Sequence, residues 1–239
     1  MPNNEKYVKI VFSKGLVVHK SKFCAIFKRE NAMPKGMFVT FEGIDGSGKT
    51  THAKTFCEFL TEMGVDFVCS REPGGTPLGE DIRNFALKKY DDKSKKAELY
   101  LFEASRAEHY EKVIAPALSQ GKIIVMDRFC DSTLAYQGYG NGNDLTAVEF
   151  VDNFATNGLK PDLTFYLDID PKVALQRRMG RTDIDLIEER GVHYQNVVRQ
   201  GYLEIFKHNS HRIVLIDASK SVKDVDDIIK SEFLQRYKR

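Results

Sequence analysis

The run Gly43 to Thr50, Gly-Ile-Asp-Gly-Ser-Gly-Lys-Thr, fits G-x-x-x-x-G-K-[ST] and constrains the fold more than any other stretch of the chain. Its glycines let the main chain turn so that successive N–H groups face one oxyanion, and the positive end of a following helix adds to that field. An apolar segment, Phe38 to Phe41, precedes it, and a helical pattern with Ala53, Phe56, Cys57, Leu60 and Met63 on one face follows. Strand, loop and helix in that order are the setting a phosphate-binding loop needs. Lys49 is expected to reach the outer phosphates of a nucleotide, and the Thr50 hydroxyl to sit on Mg²⁺.

The rest of the chain alternates in the same way. Apolar strands are expected at Phe67–Cys69, Ile123–Met126, Leu163–Leu167 and Ile213–Ile216, with helices between them, including a long one over 95–120 broken near Pro116. Five short apolar strands separated by helices predict an α/β fold: a parallel sheet covered on both faces, with ligands at the carboxyl ends of its strands. At 239 residues and 42% hydrophobic, the chain suits one such domain. A net charge of +2, without a basic, aromatic-rich track, argues against nucleic acid as a partner, and no apolar run approaches a membrane span. Cys24, Cys57, Cys69 and Cys130 contain no C-x-x-C pair and read as buried thiols in a reducing cytoplasm. Residues 1–36 differ from the remainder. They carry eight Lys or Arg against two Glu, a surplus of six, which leaves −4 for the rest. They read as a basic extension, disordered or a mis-assigned start, ahead of a domain over 37–239, and are expected to take no part in catalysis.

Several strands deliver polar residues to one edge. The second leads into Arg71-Glu72-Pro73-Gly74-Gly75-Thr76, with Arg83 in the next helix, and the third ends in Asp127-Arg128-Phe129. Two arginines and a carboxylate beside a phosphate loop point to ligand contact. Asp127 is placed to hold Mg²⁺ or its water, and Arg128 to clamp an anion through its planar fork. Phe102 and Arg106, four apart on a helix, make an aromatic platform with a fork donor at its edge, suited to a planar base. Arg177 and Arg181 flank a polar stretch, about 180–191, that reads as a mobile lid whose arginines reach a transferring phosphoryl group on closure.

From Met37 onward the chain resembles bacterial thymidylate kinases. The resemblance rests on Phe41 to Thr51, on Arg71 to Thr76, on Asp127-Arg128-Phe129, on Ala135-Tyr136-Gln137-Gly138 and on Pro161 to Asp168. It implies a P-loop nucleoside-monophosphate-kinase-like fold, a homodimer, and phosphoryl transfer from ATP to dTMP with Mg²⁺, giving dTDP for DNA precursor synthesis. It further implies that Gly43, Ile44, Asp45, Gly46, Ser47, Gly48, Lys49, Thr50 and Thr51 hold the ATP phosphates and that Thr50 and Asp127 hold the metal. Asp45 would face the dTMP sugar, Arg128 and Arg83 would grip the dTMP phosphate, and Glu72 and Asp127 would lie near the metal and that phosphate. Phe102 would stack on thymine, with Arg106, Gln137 and Thr133 at its polar edge, and Tyr136 would exclude a ribose 2′-hydroxyl. Catalysis would fall to Lys49, Arg128, Arg177 and Arg181, because Gly46 stands where some members carry a loop arginine. The family lid pattern Asp-Arg-Ile-Glu reads here Asp185-Leu186-Ile187-Glu188, leaving open how Arg177, Arg178 and Arg181 divide the work. The residues themselves also admit a kinase for dCMP, dUMP or a deoxynucleoside. A nucleotide-binding switch without turnover is the other reading, although no Asn-Lys-x-Asp is present.

Overall fold

The five expected strands are β1 (Met37–Glu42), β2 (Phe67–Arg71), β3 (Ile123–Asp127), β4 (Leu163–Asp168) and β5 (Ile213–Asp217). In the computed structural model, which describes residues 36–88, 93–178 and 190–237, they pair in parallel in the order β2-β3-β1-β4-β5. The basic extension through residue 35 and the stretch 179–189, with Arg181 and Leu186, lie outside the described residues. Phe41 pairs with both Asp127 and Phe165, and Arg71 with Asp127, so the strands end level with one another. The phosphate loop leaves the central strand at the point where strand order reverses, which is where an open α/β sheet forms its crevice.

Both faces of the sheet are covered, and the period-2 alternation of the strands sorts side chains between them. Val39 and Phe41 enter one core with Phe56 of α1 (Lys49–Glu62) and Phe233 of α9 (Val222–Tyr237), whereas Phe38 enters the other with Ile124, Met126 and Phe129. Phe56 meets Phe41, Phe165 and Phe233 at ring-centroid distances of 5.7, 6.1 and 5.0 Å. This packing fixes α1, and with it Lys49 and Thr50, against the sheet.

Helices α2 (Pro77–Leu87), α3 (Lys95–His109) and α6 (Leu145–Thr156) start where the sequence supplies caps: Thr76, Ser94 and Asp144 each accept a hydrogen bond from the third residue on. The long helix expected over 95–120 does not break at Pro116. It widens into a π-helical segment at Tyr110–Ile114 and resumes as α4 (Ala115–Ser119), where Pro116 sits in the first turn and loses no needed N–H. The helix expected from Asp131 is short, α5 (Cys130–Thr133), and runs into a second π-helical segment, Leu134–Gly140, that carries Tyr136 and Gln137. The remaining helices are α7 (Pro171–Arg178) and α8 (Gly191–Asn209). The cysteine expectation needs correction. Cys130 is buried, but Cys57 is only half-buried and Cys69 is exposed, because β2 is an edge strand.

Candidate active site

A cleft of about 630 Å³ opens over the strand ends. Of the residues singled out in the sequence, Asp45, Gly46, Gly48, Lys49, Thr50, Thr51, Glu72, Arg83, Phe102, Arg106, Asp127, Arg128, Thr133, Tyr136, Gln137 and Arg177 all line it. Gly43, Ile44 and Ser47 are buried within the loop itself, and Arg181 lies outside the described residues.

At the phosphate end the geometry is mostly main chain. Gly43, Gly46 and Gly48 have φ of 142°, 85° and 97°, values that only glycine adopts at little cost. Lys49 Nζ donates to the Ile44 carbonyl at 2.8 Å, and burial, then the neighbouring Arg128, push its pKa down to about 8. Ser47 Oγ is buried without a hydrogen-bond partner among the described residues. A desolvated ammonium and an unpartnered hydroxyl under a turn of N–H groups suit an anion. Thr50 Oγ1 donates to Asp127 Oδ2 at 2.5 Å, so two hard oxygen donors meet at the loop. They fit Mg²⁺, which takes few protein oxygens and fills its other positions with water and phosphate. A side chain at Gly46 would come within 2.5 Å of the Ala174 carbonyl and 3.2 Å of Arg178 Cγ. Position 46 therefore has no room for an arginine, and α7, with Arg177 and Arg178, packs directly against the loop.

Arg128 joins this end to the next. Its φ of 75° is unusual for a residue other than glycine, and such strain is held only where the surroundings over-determine it. Here they do so. Its main-chain N–H donates to the Phe41 carbonyl at 3.0 Å, Nη1 donates to the Gly43 carbonyl and to Ser132 Oγ at 3.1 Å each, and Nη2 reaches Asp45 and Tyr136 Oη. Tyr136 Oη in turn donates to Asp45 Oδ2 at 3.0 Å. Burial opposes ionisation of Asp45, but Arg128 and Lys49 outweigh it and hold the carboxyl below its ordinary range.

The base end is built differently. Arg106 is 2% exposed; its Nε donates to Glu72 Oε2 at 2.8 Å, and its Nη1 to Glu103 Oε1 at 2.5 Å, Thr133 Oγ1 at 2.8 Å and Asp152 Oδ1 at 3.1 Å. Burial alone would lower its pKa, yet three carboxylates raise it well above the ordinary value, while burial pushes Glu103 up to about 7. Glu72, expected near the metal and the acceptor phosphate, lines the cleft, and its two oxygens accept from Arg106 and His109. Arg83 donates to the Pro73 carbonyl at 2.9 Å, bracing the turn after β2. Gln137 is 1% exposed, with Nε2 donating to Glu98 Oε1 at 3.1 Å.

Sequence reasoning missed Glu42, Glu98, Glu103, Asp152 and Gln195. Glu42, wholly buried, accepts from the Phe129 N–H, Ser132 and Tyr202, and Gln195 of α8 donates to Asp45 at 3.3 Å. One signal was present: Glu98, Phe102 and Arg106 are spaced four apart and share a helix face. Nothing comparable marks Asp152, which only tertiary packing brings to Arg106.

A family model described as thymidylate kinase matches residues 41–229. The thymidylate kinase of Kosmotoga olearia is 43% identical over 198 residues, covering 83% of this chain and 95% of that protein. That of Thermoanaerobacter pseudethanolicus is 41% identical over 200 residues, covering 82% and 98%. The crystal structure of thymidylate kinase from Ehrlichia chaffeensis superposes with a TM-score of 0.66 at 39% identity, covering 83% of this chain and 99% of that one. The five-stranded parallel sheet flanked by helices is accordingly the P-loop nucleoside-monophosphate-kinase fold.

Proposed function

Because the chain belongs to the thymidylate kinase family, and so transfers a phosphoryl group from ATP to dTMP to give dTDP, we propose a division of its cleft into three parts. Donor phosphates lie on Gly43 to Thr51, with Lys49 on the outer ones and Thr50 and Asp127 holding Mg²⁺. The acceptor phosphate lies between Arg128 and Arg83, and the acceptor base lies on Phe102, with Thr133, Arg106 and Gln137 at its edge and Tyr136 and Asp45 at the sugar. Ala218, Lys220 and Val222, which line the cleft after β5, are left for the nucleoside of ATP. Arg128 carries this reading: one side chain bonds the loop at Gly43 and Asp45 and also reaches Tyr136, so it spans donor and acceptor sides.

The mechanism follows from charge. An oxygen of the dTMP phosphate forms the new bond to the γ-phosphorus as the bond to the β–γ bridging oxygen breaks, leaving ADP. That nucleophile is already anionic, so positioning and neutralisation carry the rate and no strong general base is needed. Mg²⁺, when bound, neutralises charge on the β- and γ-phosphate oxygens. Lys49 and Arg128 offset charge from the protein side, and Arg177 at the end of α7 and Arg181 beyond it add to that.

The enzyme acts as a cytoplasmic homodimer. Among the described residues no helix is long and apolar enough to cross a membrane. Phe150 and Phe154 of α6 are 71% and 82% exposed, and Phe85 of α2 and Tyr100 of α3 are exposed on neighbouring helices. An apolar face of that kind calls for a partner, and sedimentation of Phe150→Asp, expected as a monomer, tests it. Function is tested by coupled ADP release with ATP and Mg²⁺, comparing dTMP, dUMP, dCMP, the ribonucleotide analogue of dTMP and thymidine, on the 239-residue chain and on a chain beginning at Met37. Preference for dTMP in both is expected. Preference for another acceptor would overturn the base-end roles, and loss of turnover in the shorter chain would give residues 1–36 a part in catalysis.

A further inference from the structure

Glu98 is a buried carboxylate of the base end that, among the described residues, neither binds Arg106 nor touches the phosphate loop. It is 1% exposed in the first turn of α3, on the face that carries Phe102 and Arg106 at successive turns. Its Oε1 accepts from Gln137 Nε2 at 3.1 Å and from Asn141 Nδ2 at 2.8 Å. Its Oε2 accepts from Arg190 Nη2 at 2.6 Å, and Arg190 also reaches Asn141 Oδ1 and Tyr194 Oη. The carboxylate is thus charge-paired and engaged on both oxygens.

An ionised carboxylate only accepts hydrogen bonds, whereas a glutamine amide has a donor end and an acceptor end. Glu98 therefore draws the NH₂ of Gln137 toward itself, and the carbonyl of that amide faces away from it. The main chain of Gln137 is pinned separately, its carbonyl accepting from Asn143 Nδ2 at 2.7 Å. We propose that Glu98 is a specificity-determining positioning residue, which locks the Gln137 amide so that the cleft offers the acceptor base a hydrogen-bond acceptor and not a donor. Thymine and uracil carry N3–H, a donor, where cytosine carries a bare nitrogen. Glu98 thus favours dTMP over dCMP and leaves dUMP untouched at this position. The inference rests on the proposed placement of the base at Phe102 and Gln137.

The test is Glu98→Gln, which keeps size and removes charge. A glutamine at 98 can donate as well as accept, so Gln137 is free to turn either way. The ratio of kcat/KM for dTMP over dCMP is expected to fall at least about tenfold, because a site built around one hydrogen bond discriminates strongly only while that bond is specified. In a Gln137→Leu background the same change at 98 should no longer move the ratio. Equal losses for both acceptors, or a shift that persists without Gln137, would show a merely structural Glu98 and overturn the proposal. An unmoved ratio in Gln137→Leu itself would overturn the base placement and this inference with it. A moved ratio there, with an unmoved one in Glu98→Gln, would overturn the inference alone. Should Glu98→Gln fail to fold, the unaltered protein decides: the N3 imino proton of bound dTMP is expected to be hydrogen-bonded and protected from exchange with water, and an unprotected imino proton would mean that no acceptor faces it.

Discussion

The two ends of the cleft are built from opposite materials. The phosphate end is a contiguous run of main chain whose shape is set by three positive-φ glycines and the start of one helix. The base end is a set of side chains from α3, the turn after β2, and the 130–141 segment, held by Arg106 among three carboxylates and by Glu98 among three donors. Main-chain geometry stands on the surrounding core and tolerates loss of the side chain that works on it. A buried ion network has no such reserve, since removing one member leaves the others charged and unpaired. The first region can be disarmed without being unfolded; the second cannot.

Lys49→Met should separate rate from stability most widely. Turnover is expected to fall by about 10³-fold or more, since a charge aimed at the transferring group is lost. The melting temperature should hold or rise, because a desolvated ammonium is replaced by an apolar chain of similar length. Arg106→Leu is the mirror image: it strands Glu72, Glu103 and Asp152 and should cost about 3–5 kcal/mol, a drop in Tm on the order of 10 °C by calorimetry. Equal stability losses in the two variants would erase the comparison.

Glu42 lies where the ends meet, just before the loop, and holds the start of α5. Burial first, then Asp131, push its pKa from 4.5 up to about 7. Between those values the folded chain keeps a proton that the unfolded chain has lost, so this group's contribution to stability falls as pH rises from about 4.5 through about 7. Glu42→Gln should therefore gain on the parent protein, by up to about 3 kcal/mol, between pH 5 and pH 8 in denaturant titrations. A constant difference across that range would mean that Glu42 does not titrate there. The smallest effect is expected from Phe102→Ala, a roughly tenfold rise in the KM for dTMP with kcat moving less, since one stacking face is worth about 1–3 kcal/mol. An unchanged KM would return Phe102 to the core.

The same contrast decides how far the sequence could be read. All five strands, the loop and the alignment of strand ends were legible, because each is written in adjacent residues as a short apolar run or a motif. Phe102 and Arg106 were legible as a pair because helical spacing places them on one face. The partners of Arg106 were not: Glu72, Glu103 and Asp152 are spread over 81 positions and meet only through packing of α3 against α6 and the turn after β2. Glu72 was legible as a cleft residue from its charged neighbours in sequence, but its bonds to Arg106 and His109 were not. The π-helical widenings at Tyr110 and Leu134 carried no local signal either, Pro116 drawing attention away from a widening that lies several residues earlier.

The separation of the two ends is tested most directly by titration calorimetry of dTMP into Lys49→Met. The account expects a Kd within about threefold of the parent protein although turnover is lost, since nothing that holds the base or the acceptor phosphate has been touched. A Kd that weakens in step with the loss of rate would contradict it, and would make the cleft a single site in which the phosphate loop shapes acceptor binding as well as transfer.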